Sequence, residues 1–251
     1  MDMNSSIEKA MILAAGEGTR LRPLTDDTPK SLLPVGNTPV IVHQLRWLKN
    51  YGVNTVVINL HHKGDRIKDE LGDGASFGLD IHYSTEEVLL GTAGGVKRMG
   101  AFFTEAFYVV YGDTVSDADL SVMLEFHRYK QALMTIVLFE TERTWEAGVV
   151  EINGNKRLIS FTEKPPECNR RGNLSNGGIY ILEPEIFNYM ADDGFCDFGF
   201  DVFPRLIKEK VPVYGYLLSP DDYLIDIGTI EKYRQANEDM NAGRVKIPHE
   251  E

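Results

Sequence analysis

Cysteine is nearly absent: Cys168 and Cys196 are the two in 251 residues. That is too few for a disulfide framework, so a reducing, cytoplasmic setting is expected. No apolar stretch approaches the roughly 20 residues that a membrane helix needs, so no membrane partner is expected. The opening MDMNSSIEKAM lacks the basic and then apolar regions of a signal peptide. Positive charge is in deficit, with a formal net charge of −12, which argues against non-specific binding to nucleic acid or acidic membranes. A small anionic ligand stays open, because local basic groups and a bound metal can override the global field. There is no internal repeat, low-complexity tract or Pro/Gly/Ser linker. No Ser-His-Asp or Cys-His arrangement can be read from spacing, and His61-His62 belong to no Cys/His metal cluster.

What is present is ordinary for a globular chain: 43% hydrophobic and 25% charged residues. The length suffices to bury a substantial core. Ala10–Ala15, Thr55–Leu60, Ala106–Tyr111 and Leu133–Phe139 are short continuous apolar runs that predict strands buried on both faces. Between them lie helical patterns. Thr38 is placed to cap a helix with Pro39 at its first position; Ile41, Leu45 and Leu48 share a face, and Gly52 follows the end. Further helices are expected near Gly64–Leu71, Thr92–Ala101 and Asp119–Lys130. Alternating strands and helices predict a largely parallel sheet with helices on both faces. Past about residue 140 the rhythm changes to a hairpin turning at Asn153-Gly154-Asn155, a strand in NGGIYIL, and a final helix from Thr229 to about Asn241. The simplest expectation is one α/β domain over 1–251, with about 1–140 and about 141–240 as halves.

The loop after the first strand, Gly16-Glu17-Gly18-Thr19-Arg20, lies where open α/β sheets place ligands. It is not a P-loop, since G-x-x-x-x-G-K-[ST] is missing, and Leu21 occupies the third glycine position of a dinucleotide fingerprint. What remains is backbone N–H groups free to approach a phosphate, plus Arg20, a permanently charged fork of donors. Lys30 adds a second cation, and Pro23, Pro29 and Pro34 stiffen the loop. Asp113 ends FYVVYGD at the carboxyl end of a buried strand, and Asp226 stands between Ile225 and Ile227. Each alone reads equally as a turn residue or ion-pair member; together they suit Mg²⁺, which takes oxygen ligands. In TEKPP, Pro165 disfavours helix for Lys164, so an extended Lys164 is expected. GTAGG (Gly91–Gly95) and NGGIY (Asn176–Tyr180) are compatible with close packing alone, or with a sugar or base against the backbone.

LAAGEGTRLRPLT, TPKSLLPVGNTPVI, LGDGASFGL, GTAGG, YGD, AGVV, FTEKP, NGGIY and DDYLIDIG occur in this order from about Met11 to Ala236. As an ordered set they resemble the sugar-1-phosphate nucleotidyltransferases, or NDP-sugar pyrophosphorylases. The resemblance implies a Rossmann-like, mixed and mostly parallel sheet flanked by helices, of the nucleotide-diphospho-sugar transferase type. It implies that Leu13, Ala14, Ala15 and Gly16 lie beside base and ribose, with Glu17, Gly18 and Thr19 completing the nucleotide loop and Arg20 on the triphosphate. Lys30 would contact the reacting phosphates, and Gly91, Thr92 and Gly94 would border the base. Asp113 and Asp226 would hold a catalytic Mg²⁺. Gly148, Glu163, Asn176 and Gly177 would line the sugar, with Lys164 on its phosphate. Ala14-Ala15 stand where many relatives have Ala-Gly-Gly or Gly-Gly. The left-handed β-helix of longer relatives is absent from this sequence, so acetyl transfer and assembly through it are not expected.

The activity implied joins a nucleoside triphosphate and a sugar 1-phosphate into an NDP-sugar, releasing pyrophosphate. The compact length, NGGIY and DDYLIDIG look most like guanylyltransferases that use GTP with mannose 1-phosphate or a manno-heptose 1-phosphate. Thymidylyl or uridylyl transfer to glucose 1-phosphate is the alternative, and a uridylyltransferase for a muramic-type sugar phosphate shares the short form. A catalytically silent, nucleotide-sugar-sensing relative would be expected to have a defective charge set, whereas Arg20, Lys30, Asp113, Lys164 and Asp226 are all present. The broken fingerprint disfavours a Rossmann oxidoreductase. Oligomeric state is open, a homo-oligomer included.

Overall fold

The computed structural model describes residues 6–166 and 172–246; Cys168 lies outside them. In chain order the strands and helices begin with β1 (Lys9–Leu13), β2 (Pro34–Val35), β3 (Thr38–Pro39), α1 (Val40–Asn50), β4 (Thr55–Leu60), α2 (Gly64–Leu71), β5 (Asp80–Thr85) and α3 (Gly91–Arg98). They continue with β6 (Phe107–Tyr111), β7 (Thr114–Ser116), α4 (Leu120–Lys130), β8 (Met134–Glu140), β9 (Gly148–Ile152), β10 (Leu158–Glu163) and β11 (Leu174–Leu182). The last are α5 (Phe203–Lys208), β12 (Val213–Leu217), β13 (Leu224–Asp226) and α6 (Ile230–Asn241). These form two compact units interleaved along the chain: Met1–Val88, Val110–Asp119 and Pro220–Glu251 make the first, Leu89–Val109 and Leu120–Ser219 the second. Both alternate sheet with flanking helix, so the fold is α/β.

In the first unit β1, β4 and β5 run parallel in that order, with Met11 opposite Val57 and Ile58 opposite Tyr83. Val56, Val57, Ile58 and Leu60 are buried on both faces, which is why the run is continuous rather than alternating. β1 stops at Leu13 instead of continuing through Ala15, because the Ala14 N–H leaves the ladder for the Asn59 side chain, 2.8 Å away. The expected Thr38 cap does not form. Thr38 and Pro39 pair with Val35 and Pro34 as a short antiparallel ribbon, which delivers the Leu33 carbonyl to the Val40 N–H at 3.1 Å. Pro39 therefore sits one position outside the helix. Thr229 does cap α6, its hydroxyl accepting the Lys232 N–H. A core of Leu21, Leu33, Val35, Val40, Val115, Ile227, Ala236 and Val245 joins the long first loop to β7, β13 and α6. Each of the leucines, isoleucine and valines here, fully buried, contributes roughly 1.5–3 kcal/mol.

The second unit is a mixed sheet of order β10-β9-β11-β8-β12, antiparallel except for the parallel pair β8–β12. The hairpin β9–β10 turns at Asn153, whose carboxamide oxygen accepts the N–H groups of Asn155 and Arg157, as the turn chemistry predicts. The register of β11 on β8 shifts between Asn176 and Tyr180, so NGG is a β-bulge. Buried His127 on α4 bonds Thr135 of β8 at 2.8 Å and Glu183 at 3.2 Å. The Thr135 hydroxyl belongs to a fully buried residue, so this trio fastens helix to sheet and offers no nucleophile. Among the described residues no helix is long and apolar enough to cross a membrane, and Cys196 is free and buried.

Candidate active site

The first unit gathers the loop cations and both aspartates. At the exit of β1, Asn59 holds the Ala14 N–H and donates to Glu86 at 2.8 Å; both side chains are about 2% exposed, so the strand end is pinned from behind by a buried polar pair. Ala14 and Ala15 are buried, while Gly16, Glu17, Thr19 and Arg20 are exposed and Leu13 is half-buried. Gly18 takes φ +67° and its carbonyl accepts the Thr25 hydroxyl at 2.9 Å. Thr19–Leu21 is then a single 3₁₀ turn in which Leu21 plunges into the core and Arg20 stays outside. Lys63 crosses from α2's start to the Thr25 and Asp26 carbonyls, so the loop is tied at both ends.

Asp113 follows Gly112, whose N–H bonds the Leu13 carbonyl at 2.9 Å. A Cβ at Gly112 would meet that oxygen at 2.8 Å and the Ala14 Cα at 3.2 Å; only glycine allows this approach. Lys30 Nζ donates to Asp113 Oδ2 at 2.5 Å. Burial pushes the Asp113 carboxyl up, but the Lys30 ammonium, bonded to it, and more distant Arg20 outweigh burial and hold it below the usual carboxylate range. Asp226 stands opposite Thr114 in the β13–β7 ribbon, and the Ile227 N–H bonds the Asp113 carbonyl. The two aspartates, far apart in sequence, thus sit on adjoining backbone. Asp226 accepts from Lys232 Nζ at 2.6 Å and from the Gly228 N–H at 3.1 Å. Measured from a Cβ built on Gly228, Asp226 Oδ1 lies at 2.8 Å and the Arg20 guanidinium at 3.1 Å. Arg20, Lys30 and Lys232 therefore face two carboxylates in one cluster. Asp113 and Asp226 are the residues that could hold a hard cation, since each keeps lone pairs beyond its lysine. Among the described residues no three His, Cys, Asp or Glu could hold a metal together.

The second unit gathers the remaining expected positions. Glu163 pairs across from Gly148, and its Oε2 lies 2.9 Å from where a Gly148 Cβ would be and 2.8 Å from that of Gly199. Lys164 Nζ reaches Glu163 Oε1 at 3.2 Å. Contrary to the extended conformation expected, Lys164 has φ +40°. Pro165 disfavours the right-handed helix for Lys164, and in this conformation the Lys164 N–H still reaches the Ala147 carbonyl as the ladder ends. Asn176 spends its amide on the Tyr180 hydroxyl at 2.7 Å and on the Gly178 N–H at 2.9 Å, with Gly177 buried beside it. At α3, the N–H groups of Ala93 and Gly94 bond the Cys196 carbonyl. The Thr92 hydroxyl donates to Asp197 at 2.8 Å and accepts the Phe198 N–H. Of the two readings of GTAGG, close backbone packing is thus realised at Gly91 and Gly94.

Sequence reasoning missed Asn59, Glu86, Thr25, Lys63, Lys232 and Gln44. The signal existed for Gln44, which shares the apolar face of Ile41, Leu45 and Leu48. No local pattern marks Lys232, since only the fold brings it to Asp226.

Comparison with known proteins shows the family of the chain. The sequence profile described as Nucleotidyl transferase matches residues 9–243. A UTP–glucose-1-phosphate uridylyltransferase of Synechocystis sp. is 36% identical over 91% of this chain. A D-glycero-alpha-D-manno-heptose 1-phosphate guanylyltransferase of Campylobacter jejuni is 32% identical over 90% of it. The chain spans 62% of the length of the first and 96% of the second. The crystal structure of HddC from Yersinia pseudotuberculosis complexed with GMP-PN superposes with TM-score 0.76 at 27% identity, covering 93% of this chain and 100% of that one. With a family profile running from the first strand to the last helix, the chain belongs to the nucleotidyl transferase family.

Proposed function

We propose that this protein is a sugar-1-phosphate nucleotidyltransferase that makes an NDP-sugar and pyrophosphate. The cluster of Arg20, Lys30, Asp113, Asp226 and Lys232 carries the proposal. A phosphate monoester bears about −1.5 to −2 near neutral pH and must approach a triphosphate. One unit-charge pair at 4 Å is worth about 1 kcal/mol in water and about 4 at an effective dielectric of 20. Several such repulsions must be offset by fixed positive charge, which is the main catalytic task in phosphoryl chemistry.

Arg20 and Lys30 orient the triphosphate, and the backbone N–H groups of Gly16, Glu17, Gly18 and Thr19 donate to its oxygens along the loop. Leu13, Ala14 and Ala15 form the floor for base and ribose, with Gly91, Thr92 and Gly94 bordering the base. Gly148, Glu163, Asn176 and Gly177 line the sugar, and Lys164 holds its phosphate. An oxygen of that phosphate attacks the α-phosphorus, and pyrophosphate leaves; no covalent enzyme intermediate is needed. Asp113 and Asp226 would hold Mg²⁺, which when bound supplies positive charge to the phosphates. The chemistry is cytoplasmic.

GTP with mannose 1-phosphate or a manno-heptose 1-phosphate is the substrate pair, supported by the full-length likeness to the Campylobacter guanylyltransferase. Uridylyl transfer to glucose 1-phosphate is the second reading, favoured by the higher identity of the Synechocystis uridylyltransferase. The test is pyrophosphate release from each of four nucleoside triphosphates with a panel of sugar 1-phosphates. Release that requires both substrates, and is fastest with GTP and a manno-configured sugar, is expected. Silence with every pair overturns the enzyme reading. Lys164→Ala is expected to raise the KM for the sugar 1-phosphate about tenfold to hundredfold, the worth of one charge-assisted hydrogen bond, with the KM for the triphosphate little changed. An equal rise in both would remove Lys164 from the sugar phosphate.

A further inference from the structure

We propose that Gln44 is a positioning residue that sets the place of the Asp113 carboxylate through the main chain. The inference rests on the reading that Asp113 serves the reaction. Gln44 lies on α1, is 2% exposed, and interrupts the apolar face made by Ile41, Leu45 and Leu48. Its Nε2 donates to the carbonyls of Tyr111 and Thr114 at 2.8 and 2.7 Å. These carbonyls flank Gly112 and Asp113, so both amide hydrogens clasp the two ends of the turn that presents the carboxylate. The orientation of the amide is fixed, because the oxygen in that place would face two carbonyls.

Backbone bonds also hold the turn, from Gly112 N–H to the Leu13 carbonyl and from Ile227 N–H to the Asp113 carbonyl. They come from the sides of β1 and β13. Gln44 alone among these spans the turn from end to end and ties it to a helix. The Gln44 Oε1 is buried with no protein partner among the described residues. An aliphatic side chain here would spare the unpartnered Oε1 but would take these two bonds from the Tyr111 and Thr114 carbonyls. Gln44 thus contributes to stability as well as holding the turn that carries Asp113, and activity per folded molecule separates the two effects. An ångström of misplacement is enough to slow chemistry strongly.

The experiment compares Gln44→Met, similar in length but without donors, with Gln44→Glu, of the same shape but with a carboxylate facing the carbonyls, and with Asp113→Asn. Turnover is expressed per folded molecule from the melting amplitude, and Mn²⁺ binding in the presence of the triphosphate is read by paramagnetic resonance. For Gln44→Met we expect kcat to fall about tenfold to hundredfold with both KM values changed by less than about threefold. Mn²⁺ should bind several-fold more weakly, and Gln44→Glu should be the worse of the two. Wild-type kcat per folded molecule in Gln44→Met, with Asp113→Asn inactive, overturns the positioning role. An active Asp113→Asn overturns instead the reading of Asp113, and the role of Gln44 with it.

Discussion

Asp113→Asn is expected to lower turnover by a factor of about a thousand or more, the scale on which one essential electrostatic group acts. The fold should survive. Lys30 is the bonded partner of the carboxylate, and asparagine's oxygen can still accept from it at a loss of about 1 kcal/mol. The backbone bonds of the turn, to Leu13 and from Ile227, do not involve the side chain. Pyrophosphate release at saturating substrates measures the first effect and thermal melting the second. Turnover within tenfold of wild type would remove Asp113 from the chemistry, and a melting point that collapses would overturn the expectation that the fold survives.

Gly91→Ala is expected to have the largest effect on stability. Gly91 holds φ +77°, and a Cβ there would meet the Cys196 carbonyl oxygen at 2.5 Å and the Phe195 ring at 3.1 Å. The first obstacle is main chain, already bonded to the start of α3, so it does not yield cheaply. Backbone strain and clash together cost about 3 kcal/mol, or a melting point lower by roughly 6–12 °C in a chain of this size. Gly16→Ala is the control. Nothing lies within 4 Å of its Cβ and its φ is not left-handed, so it should stay within about 0.5 kcal/mol. Equal melting points for the two variants would show that the Cys196 segment is not fixed on α3.

Elements whose cause is local were legible in the sequence. β4 and α2 have the bounds that apolar runs and helical spacing predict, and the final helix begins beside Thr229, where the sequence places it. Where a distant group competes, local reading failed: Leu33 took the first helical N–H from the Thr38 cap, and Asn59 drew Ala14 out of its strand. The residues of the candidate site stand out in the sequence as types and motifs, but their partners do not. Lys232 reaches back to Asp226 across the short β13–α6 connection, a spacing that no helix or strand period marks, and Asp113 meets Lys30 from a distant part of the chain. The two units are also interleaved, which no reading along the line reveals.

The core beneath the first loop has a consequence for biosynthesis. Leu21, Val35 and Val40 rest on Ala236 and Val245, with Tyr233 bonded to the Pro34 carbonyl and Asn237 to the Gly36 N–H. These partners lie about 200 residues apart in the chain, so the loop is synthesised long before the helix that supports it. Until α6 leaves the ribosome, the loop waits without its floor.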